Sequence, residues 1–181
     1  MPKVVDHEQR RRELAAAVWR VICSRGPDAV TIRDVAAEAG WSSGALRHYF
    51  PTREVLLMFA FRLAADRAAE RIRAAGDAPV GELLEQALPL DDERRQEALI
   101  WFAFVGLAPT DPRLAAELER AYAHIVEWLG DRLGGRDRRL RASLLFAAVD
   151  GIAVQALAMP TAMTPARQRA ALRLQVAAIG A

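Results

Sequence analysis

The sequence contains one cysteine and one lysine, and its other 24 basic side chains are arginines. The single Cys23 excludes an intramolecular disulfide, which agrees with a cytoplasmic location. We expect Cys23 to be a buried small hydrophobe, because Val21 and Ile22 directly precede it. The net charge of +2 is too small to indicate a partner by itself.

Long apolar runs are also missing. The most apolar segment, residues 144 to 159, is interrupted by Asp150, Gly151 and Gln155 and is shorter than the ~20 residues that a membrane span needs. The N-terminal segment MPKVVDHEQRRRELAAA carries charges where a secretory signal has its apolar run. No membrane partner is therefore expected.

Signatures of catalysis are missing as well. The sequence has no GxSxG, no paired cysteines, no HExxH and no glycine-rich phosphate loop. His7, His48 and His124 are far apart and lack the spacing of metal ligands. We therefore expect no enzyme activity, no cofactor and no metal site.

The residues that are abundant predict an all-α fold. Hydrophobic residues make up 52% and charged residues 27%, which is typical of a globular chain, and apolar positions recur with helical spacing rather than with period two. Asp6 is a possible N-cap of the first helix. Glycine and proline divide the chain into about nine predicted helices, at 6–26, 31–40, 43–49, 53–75, 80–88, 91–108, 112–133, 137–158 and 165–179.

Residues 31 to 50, TIRDVAAEAGWSSGALRHYF, predict a helix-turn-helix. Thr31 is a predicted N-cap, Gly40 ends the first short helix, and the second begins near Ser43. In this motif the second helix enters the DNA major groove with its N-terminal residues against base edges. Ile32, Val35, Leu46 and Phe50 are expected to be core.

The remaining side chains of the motif suit DNA binding. Those that allow close approach to the groove are small, and those that can meet bases or phosphates carry hydrogen-bond donors. Arg47 can contact a guanine edge, and an ordinary surface charge is the other interpretation. Arg10 to Arg12 form a second candidate phosphate site, although a solvated helix face explains them equally well. The candidate DNA-binding residues are Thr31, Ser42, Ser43, Gly44, Ala45, Arg47, His48, Tyr49 and Arg53.

The stretch TIRDVAAEAGWSSGALRHYFPTREVLL closely resembles the DNA-binding segment of the TetR family of bacterial transcriptional repressors. Three positions depart from the family pattern. Trp41 replaces a small aliphatic residue and is expected to pack under the motif, Arg47 stands where Tyr is frequent, and Arg53 replaces Lys and should keep a phosphate contact. The resemblance implies a DNA-binding domain at 1–52, with a double-stranded DNA operator as partner.

Residues 82 to 181 resemble, more loosely, the C-terminal domain of the betaine-responsive branch of that family. The resemblance implies an effector-binding and dimerisation domain at 53–181, a small-molecule effector of unknown identity, and a homodimer. Aromatic residues on adjacent predicted helices are candidates for an effector pocket, and core packing is the other interpretation. The candidate pocket residues are Phe59, Leu63, Trp101, Phe104, Tyr122 and Trp128.

The last two predicted helices are expected to form the dimer surface, because they offer more apolar area than a small domain can bury alone. The candidate interface residues are Leu144, Ala148, Gly151, Ile152, Gln155, Leu172, Val176 and Ile179. The sequence thus predicts a dimeric, ligand-responsive repressor that binds a palindromic site. A helical scaffold without sequence-specific DNA binding is the alternative, and it gives no reason for the residues at 42 to 49.

Overall fold

The computed structural model describes residues 7–180, which contain nine α-helices and no strand. The predicted all-α class is therefore confirmed. The predicted N-cap Asp6 lies outside the described residues. The helices are α1 (His7–Arg25), α2 (Ile32–Ala39), α3 (Ser43–Tyr49), α4 (Arg53–Ala74), α5 (Val80–Leu84), α6 (Asp92–Leu107), α7 (Pro112–Leu133), α8 (Arg138–Ala158) and α9 (Pro165–Ile179).

The helix boundaries follow from capping residues that the sequence displays. Thr31, Ser42 and Thr52 each accept a hydrogen bond from a backbone N–H three residues ahead, at the starts of α2, α3 and α4. Gly40 ends α2 in the left-handed conformation, with φ of 70°, which glycine adopts without steric cost. The predicted helix at 80–88 differs, because α5 ends at Leu84 and a 3₁₀ turn follows from Glu85 to Ala87.

The first hydrophobic core joins the N-terminal helices to α6 and α7. It contains buried residues of α1 to α4 together with Ile100, Phe104 and Leu114. The Trp19 indole N–H in α1 donates to the Ala60 carbonyl in α4 at 3.1 Å. This core therefore includes residues from both sides of the predicted domain boundary between residues 52 and 53. That boundary stays a prediction.

The second core lies among α5, α7, α8 and α9. Leu129 of α7, Leu145 and Val149 of α8, and Leu172 of α9 are buried in it. The Arg141 side chain donates to the Ile179 carbonyl from Nε at 3.2 Å and from Nη2 at 2.9 Å, which holds the end of α9 against α8. Among the described helices, α8 is the one long and apolar enough to cross a membrane. Core helices of water-soluble proteins meet the same criterion, and one face of α8 is buried here.

Two arginine–carboxylate pairs fasten α4 to its neighbours. Arg62 donates to the two carboxylate oxygens of Glu117 in α7, from Nε at 2.5 Å and from Nη2 at 2.9 Å. Arg71 bonds both carboxylate oxygens of Glu97 in α6, with 2.9 Å between Nη1 and Oε1. Glu97 and Glu117 are buried, so removing Arg71 would leave Glu97 without its counter-ion, and removing Arg62 would leave Glu117 with Arg120 alone.

Glu117 makes folding sensitive to acid. The hydrogen bond from Arg62, aided by Arg120, lowers the pKa of Glu117 from 4.5 to about 2 against the opposing effect of desolvation. A folded-state pKa below the unfolded value stabilises the fold above the unfolded pKa, and this stability is lost as pH falls from about 4.5 towards 2.

We therefore expect Glu117→Gln to lower the free energy of unfolding at pH 7 by about 2 kcal/mol, since both arginines are partly solvated. Urea unfolding at pH 7, 5 and 3 should show the difference from wild type shrinking with acidity. Glu119→Gln, an exposed neighbour on α7, is the matched control. A difference that is constant with pH would show that charge is not its cause.

Cys23 differs from the expectation, because its side chain is exposed. The buried face of α1 includes Leu14, Val18, Val21 and Ile22. Each helical residue advances by about 100° around the axis. Position 23 therefore turns away from the face that Val21 and Ile22 share.

Candidate nucleic-acid interface and adjoining cavity

The α3 helix presents small and polar residues to solvent. Leu46 and Phe50 are fully buried in the first core and fix the inner face of the helix. Ser43 and Tyr49 are half-buried at the margins of the outer face. The exposed residues, at the start of the helix and along its outer face, are Ser42, Gly44, Ala45, Arg47 and His48.

Trp41 packs against the first core beneath the outer face of α3, as predicted from the sequence. It is half-buried, and its ring meets that of Tyr49 edge-on, with 5.6 Å between centroids. The Arg10 guanidinium lies over the Trp41 ring, 5.5 Å from its centroid. Arg10 is thereby held beside Ser42 and Ala45, with which it lines a shallow concavity. Arg12 is exposed, and the side chain of Arg11 lies outside the described residues.

Thr31 and Arg53 have structural partners. The Thr31 hydroxyl accepts from the Asp34 backbone N–H at 3.0 Å and donates to the Asp34 carboxylate, and this bond lowers the pKa of Asp34. Arg53 donates from Nε to the Val30 carbonyl at 2.7 Å and from Nη2 to the Pro27 carbonyl at 2.9 Å. Arg53 therefore stabilises the turn before α2. The sequence predicted a phosphate contact for Arg53, whereas the structure shows its guanidinium bonded to this turn.

A cavity of about 440 Å³ lies among α4, α6, α7 and α8. Its wall on α4 extends from Ala64 to Arg73, so the helix that follows α3 also forms one side of the cavity. Two predicted pocket residues, Trp101 and Trp128, line it. Because drug-sized ligands occupy pockets of roughly 300–1,000 Å³, the space fits a small organic molecule.

The other four predicted pocket residues lie elsewhere. Phe59 and Leu63 pack partly buried against the first core, and Phe104 is buried there, with its ring stacked 4.1 Å from that of Phe61. Tyr122 packs against Trp101, with 5.4 Å between ring centroids. These four positions are not among the residues that line the cavity, because the helices that form it also pack apolar side chains against their neighbours.

Asp150 is a charged lining residue that the predicted pocket does not include. It lies on the cavity side of α8 and accepts a hydrogen bond from the Tyr122 hydroxyl. Desolvation raises the pKa of Asp150, and the Tyr122 hydrogen bond opposes that rise. A signal was present, since Asp150 is the one charged residue between positions 142 and 158 of α8, and an ionisable group in an apolar stretch is expensive without a role.

The exposed apolar face of α8 and α9 differs in composition from the predicted dimer surface. Leu140, Leu144 and Leu174 expose 62%, 58% and 71% of their surface, and Gly151 and Gln155 are exposed beside them. Ala148 is half-buried. Of the other predicted interface residues, Ile152 and Leu172 are only 7% and 1% exposed in the protomer core, and Val176 and Ile179 pack partly buried against it.

The difference between the predicted and the exposed face of α8 has a geometric reason. The predicted row combined positions 151 and 152, which point about 100° apart on one helix. The outer face instead follows spacings of three and four residues through Leu140, Leu144, Ala147, Gly151 and Val154. We call these five residues with Leu174 the outer apolar face.

Comparison with known proteins covers nearly the whole chain. Residues 14–58 match the family model described as bacterial regulatory proteins, tetR family, and residues 78–181 match that of the BetI-type transcriptional repressor C-terminal domain. The HTH-type transcriptional regulator PksA of Bacillus subtilis is 34% identical, over 99% of this chain and 94% of that protein.

Solved structures of transcriptional regulators have a similar fold. A transcriptional regulator from Rhodococcus sp. Rha1 superposes with a TM-score of 0.87 and 33% identity, covering 93% of this chain and 95% of that one. A putative transcriptional regulator from Saccharomonospora viridis in complex with choline superposes with a TM-score of 0.83 at 23% identity, covering 93% and 96%.

Proposed function

This chain belongs to the TetR family of bacterial transcriptional regulators, and we propose that it is a cytoplasmic repressor whose dimer binds a palindromic operator and is released by a small-molecule effector. As a transcriptional regulator it is not an enzyme. Family membership favours this function over a helical scaffold. The observation that carries the proposal is the outer face of α3, where capped backbone and small side chains surround the exposed Arg47.

Base reading is assigned to the exposed part of α3. Ser42, Gly44 and Ala45 allow the helix start to approach the groove floor, and Arg47 supplies the bidentate donor that suits guanine. His48, and Thr31 at the start of α2, are placed to meet phosphates, whereas Tyr49 and Ser43 support the surface from its margins. Arg10, held over Trp41, adds a phosphate contact at the turn.

Dimerisation through the outer apolar face would set the spacing of two such helices. An isologous contact of this face with itself places the two copies of α3 on one side of the dimer. Two half-sites about one helical turn apart then form a palindromic operator.

Release depends on α4, which begins beside α3 and forms one wall of the cavity. An effector that moves this wall changes the separation of the two recognition helices. To shift the operator-bound fraction from 99% to 1%, the effector must prefer the non-binding conformation by ~5.5 kcal/mol. The choline in the Saccharomonospora viridis protein supports an organic molecule as the class of effector.

The test is selection from a pool of random DNA duplexes with wild type, Arg47→Ala and Arg136→Ala. We expect wild type to select a palindrome, and Arg47→Ala to lose discrimination at one or two positions of each half-site, worth ~1–3 kcal/mol per position. Arg136, which is exposed in the turn that precedes α8, is the matched control and should leave the consensus unchanged.

Two results would overturn the proposal. Recovery of no preferred sequence, with binding that only salt weakens, would indicate an electrostatic contact without reading. A consensus that is identical in wild type and Arg47→Ala would remove Arg47 from base recognition. The selected operator then serves the measurements below.

A further inference from the structure

The charged groups of the cavity differ in whether they already have partners. Glu97 is bonded at both oxygens by Arg71, and Arg94 donates to Asp91, with 2.8 Å from its Nε to Oδ2. Asp66, Arg73 and His124 line the cavity but are exposed to solvent, so water screens their charges. These groups leave no strong net field inside the cavity.

Asp150 is the exception. Among the ion pairs of residues 7–180 none includes Asp150, and its polar neighbours there are neutral: the Tyr122 hydroxyl donates to it, and the Trp101 indole N–H lies close enough to lower its pKa. Its carboxylate is partly withdrawn from water, which raises its pKa. A carboxylate in that state gains more from a nearby positive charge than a solvated one does.

Aromatic rings lie near this carboxylate. Tyr122, which donates to it, meets Phe146 edge-on with 5.3 Å between centroids, and Trp101 lies 6.0 Å from Phe146. Trp128 lines the same cavity, but the Arg132 guanidinium already lies 5.3 Å from its ring centroid, so the cation-attracting rings are the first three. The faces of such rings carry negative charge density and attract cations. Carboxylate and rings together therefore favour a positive charge and disfavour a negative one.

We propose that the cavity binds an organic monocation with a bulky apolar body, and that Asp150 is its counter-ion. The inference rests on the proposed function, because it assigns a chemical class to the effector of that cavity. The apolar wall of Ala68, Ile72, Phe102 and Ile125 accepts the body of the ligand, and the volume of about 440 Å³ exceeds what a small ammonium headgroup fills. Quaternary ammonium ions and protonated aromatic amines belong to this class.

Three probes of similar size and different charge test it by titration calorimetry on the full chain. They are benzyltrimethylammonium, its uncharged carbon analogue neopentylbenzene, and the anion 4-tert-butylbenzoate. We expect wild type to bind the cation at least ~10-fold more tightly than the uncharged analogue, and the anion weakest of all. An anion or uncharged probe that binds as well as the cation would overturn the assignment.

Asp150→Asn then locates the charge. The amide keeps a hydrogen-bond acceptor for Tyr122, and we expect cation affinity to fall about 10- to 100-fold. Affinity for neopentylbenzene should change less than about threefold, which also shows that the cavity is intact. Asp66→Asn, at the exposed edge of the same cavity, is the matched control. If that variant carries the loss instead, Asp150 is not the counter-ion.

Operator binding, followed by fluorescence anisotropy, separates this inference from the proposed function. A chain that binds the cation through Asp150 but keeps its operator affinity supports the ligand class and contradicts release by effector. A chain that selects no operator contradicts DNA reading while the calorimetry still decides the ligand class.

Discussion

Replacing Gly44 with glutamate is expected to lower affinity for the selected operator at least ~100-fold, because a carboxylate would be added where the phosphates approach. The substituted carboxylate would face the groove and its phosphates. It would also hold the helix start away from the base edges, which the present glycine allows to approach.

The same substitution should leave the fold intact or strengthen it. A Cβ at Gly44 meets no atom within 4 Å, and its φ is not positive, so the added side chain enters open space. Gly44 lies in the first turn of α3, where a carboxylate interacts favourably with the helix dipole, and replacing glycine in a helix gains up to about 1 kcal/mol. Stability and DNA affinity are thus expected to change in opposite directions.

Anisotropy titrations with the operator and thermal unfolding check this pair of effects. Gly106→Glu is the control, because Gly106 in α6 is likewise exposed with no atom within 4 Å of an added Cβ, and it lies far along the chain from α3. It should keep wild-type operator affinity. An operator affinity for Gly44→Glu within about threefold of wild type would place α3 outside the groove.

Replacing Gly151 with arginine is expected to convert the proposed dimer into a monomer and to lower operator affinity at least ~100-fold. Gly151 lies in the middle of the outer apolar face, and an added Cβ there meets no atom of the protomer within 4 Å. In an isologous interface each subunit would contribute one arginine, so two charges would enter an apolar contact without partners. A monomer then binds one half-site without the gain in effective concentration that its linked partner provides.

Sedimentation velocity at several protein concentrations, followed by operator titration, measures both parts of this prediction. Gly106→Arg adds the same side chain to a helix surface away from α8 and α9, and it should remain dimeric. If Gly151→Arg stays dimeric with wild-type affinity, another surface forms the dimer, and the outer apolar face needs a different partner.

Local features could be predicted from the sequence because short-range forces determine them. The starts of α2, α3 and α4 follow from Thr31, Ser42 and Thr52, and the end of α2 follows from Gly40. The inner face of α3 follows from apolar spacing alone. The sequence does not decide which side of a long, mostly apolar helix faces its own core, and two residues predicted for the dimer surface, Ile152 and Leu172, are buried in that core.

Contacts between residues far apart in the chain could not be predicted from the sequence either. Arg53 matches a family position, yet its guanidinium bonds carbonyls 23 and 26 residues earlier in the chain. Asp150 stands out in the sequence as the one charged residue between positions 142 and 158, but its pairing with Tyr122, 28 residues earlier, is visible only in the fold. Composition and periodicity carry no information on such pairings, because the side chains involved are ordinary in type.

The first core has an evolutionary consequence. Its residues come from α1 to α4 and from α6 and α7 alike, and Trp19 of α1 donates a hydrogen bond to Ala60 of α4, the helix that joins the two parts. The DNA-reading part is therefore not a detachable module that recombination can exchange between relatives without repacking a shared interior. Substitutions on the solvent side of α3 can change operator preference without repacking that interior, because the exposed side chains there are not part of the first core. In this lineage the specificity of reading and the architecture beneath it can diverge at different rates.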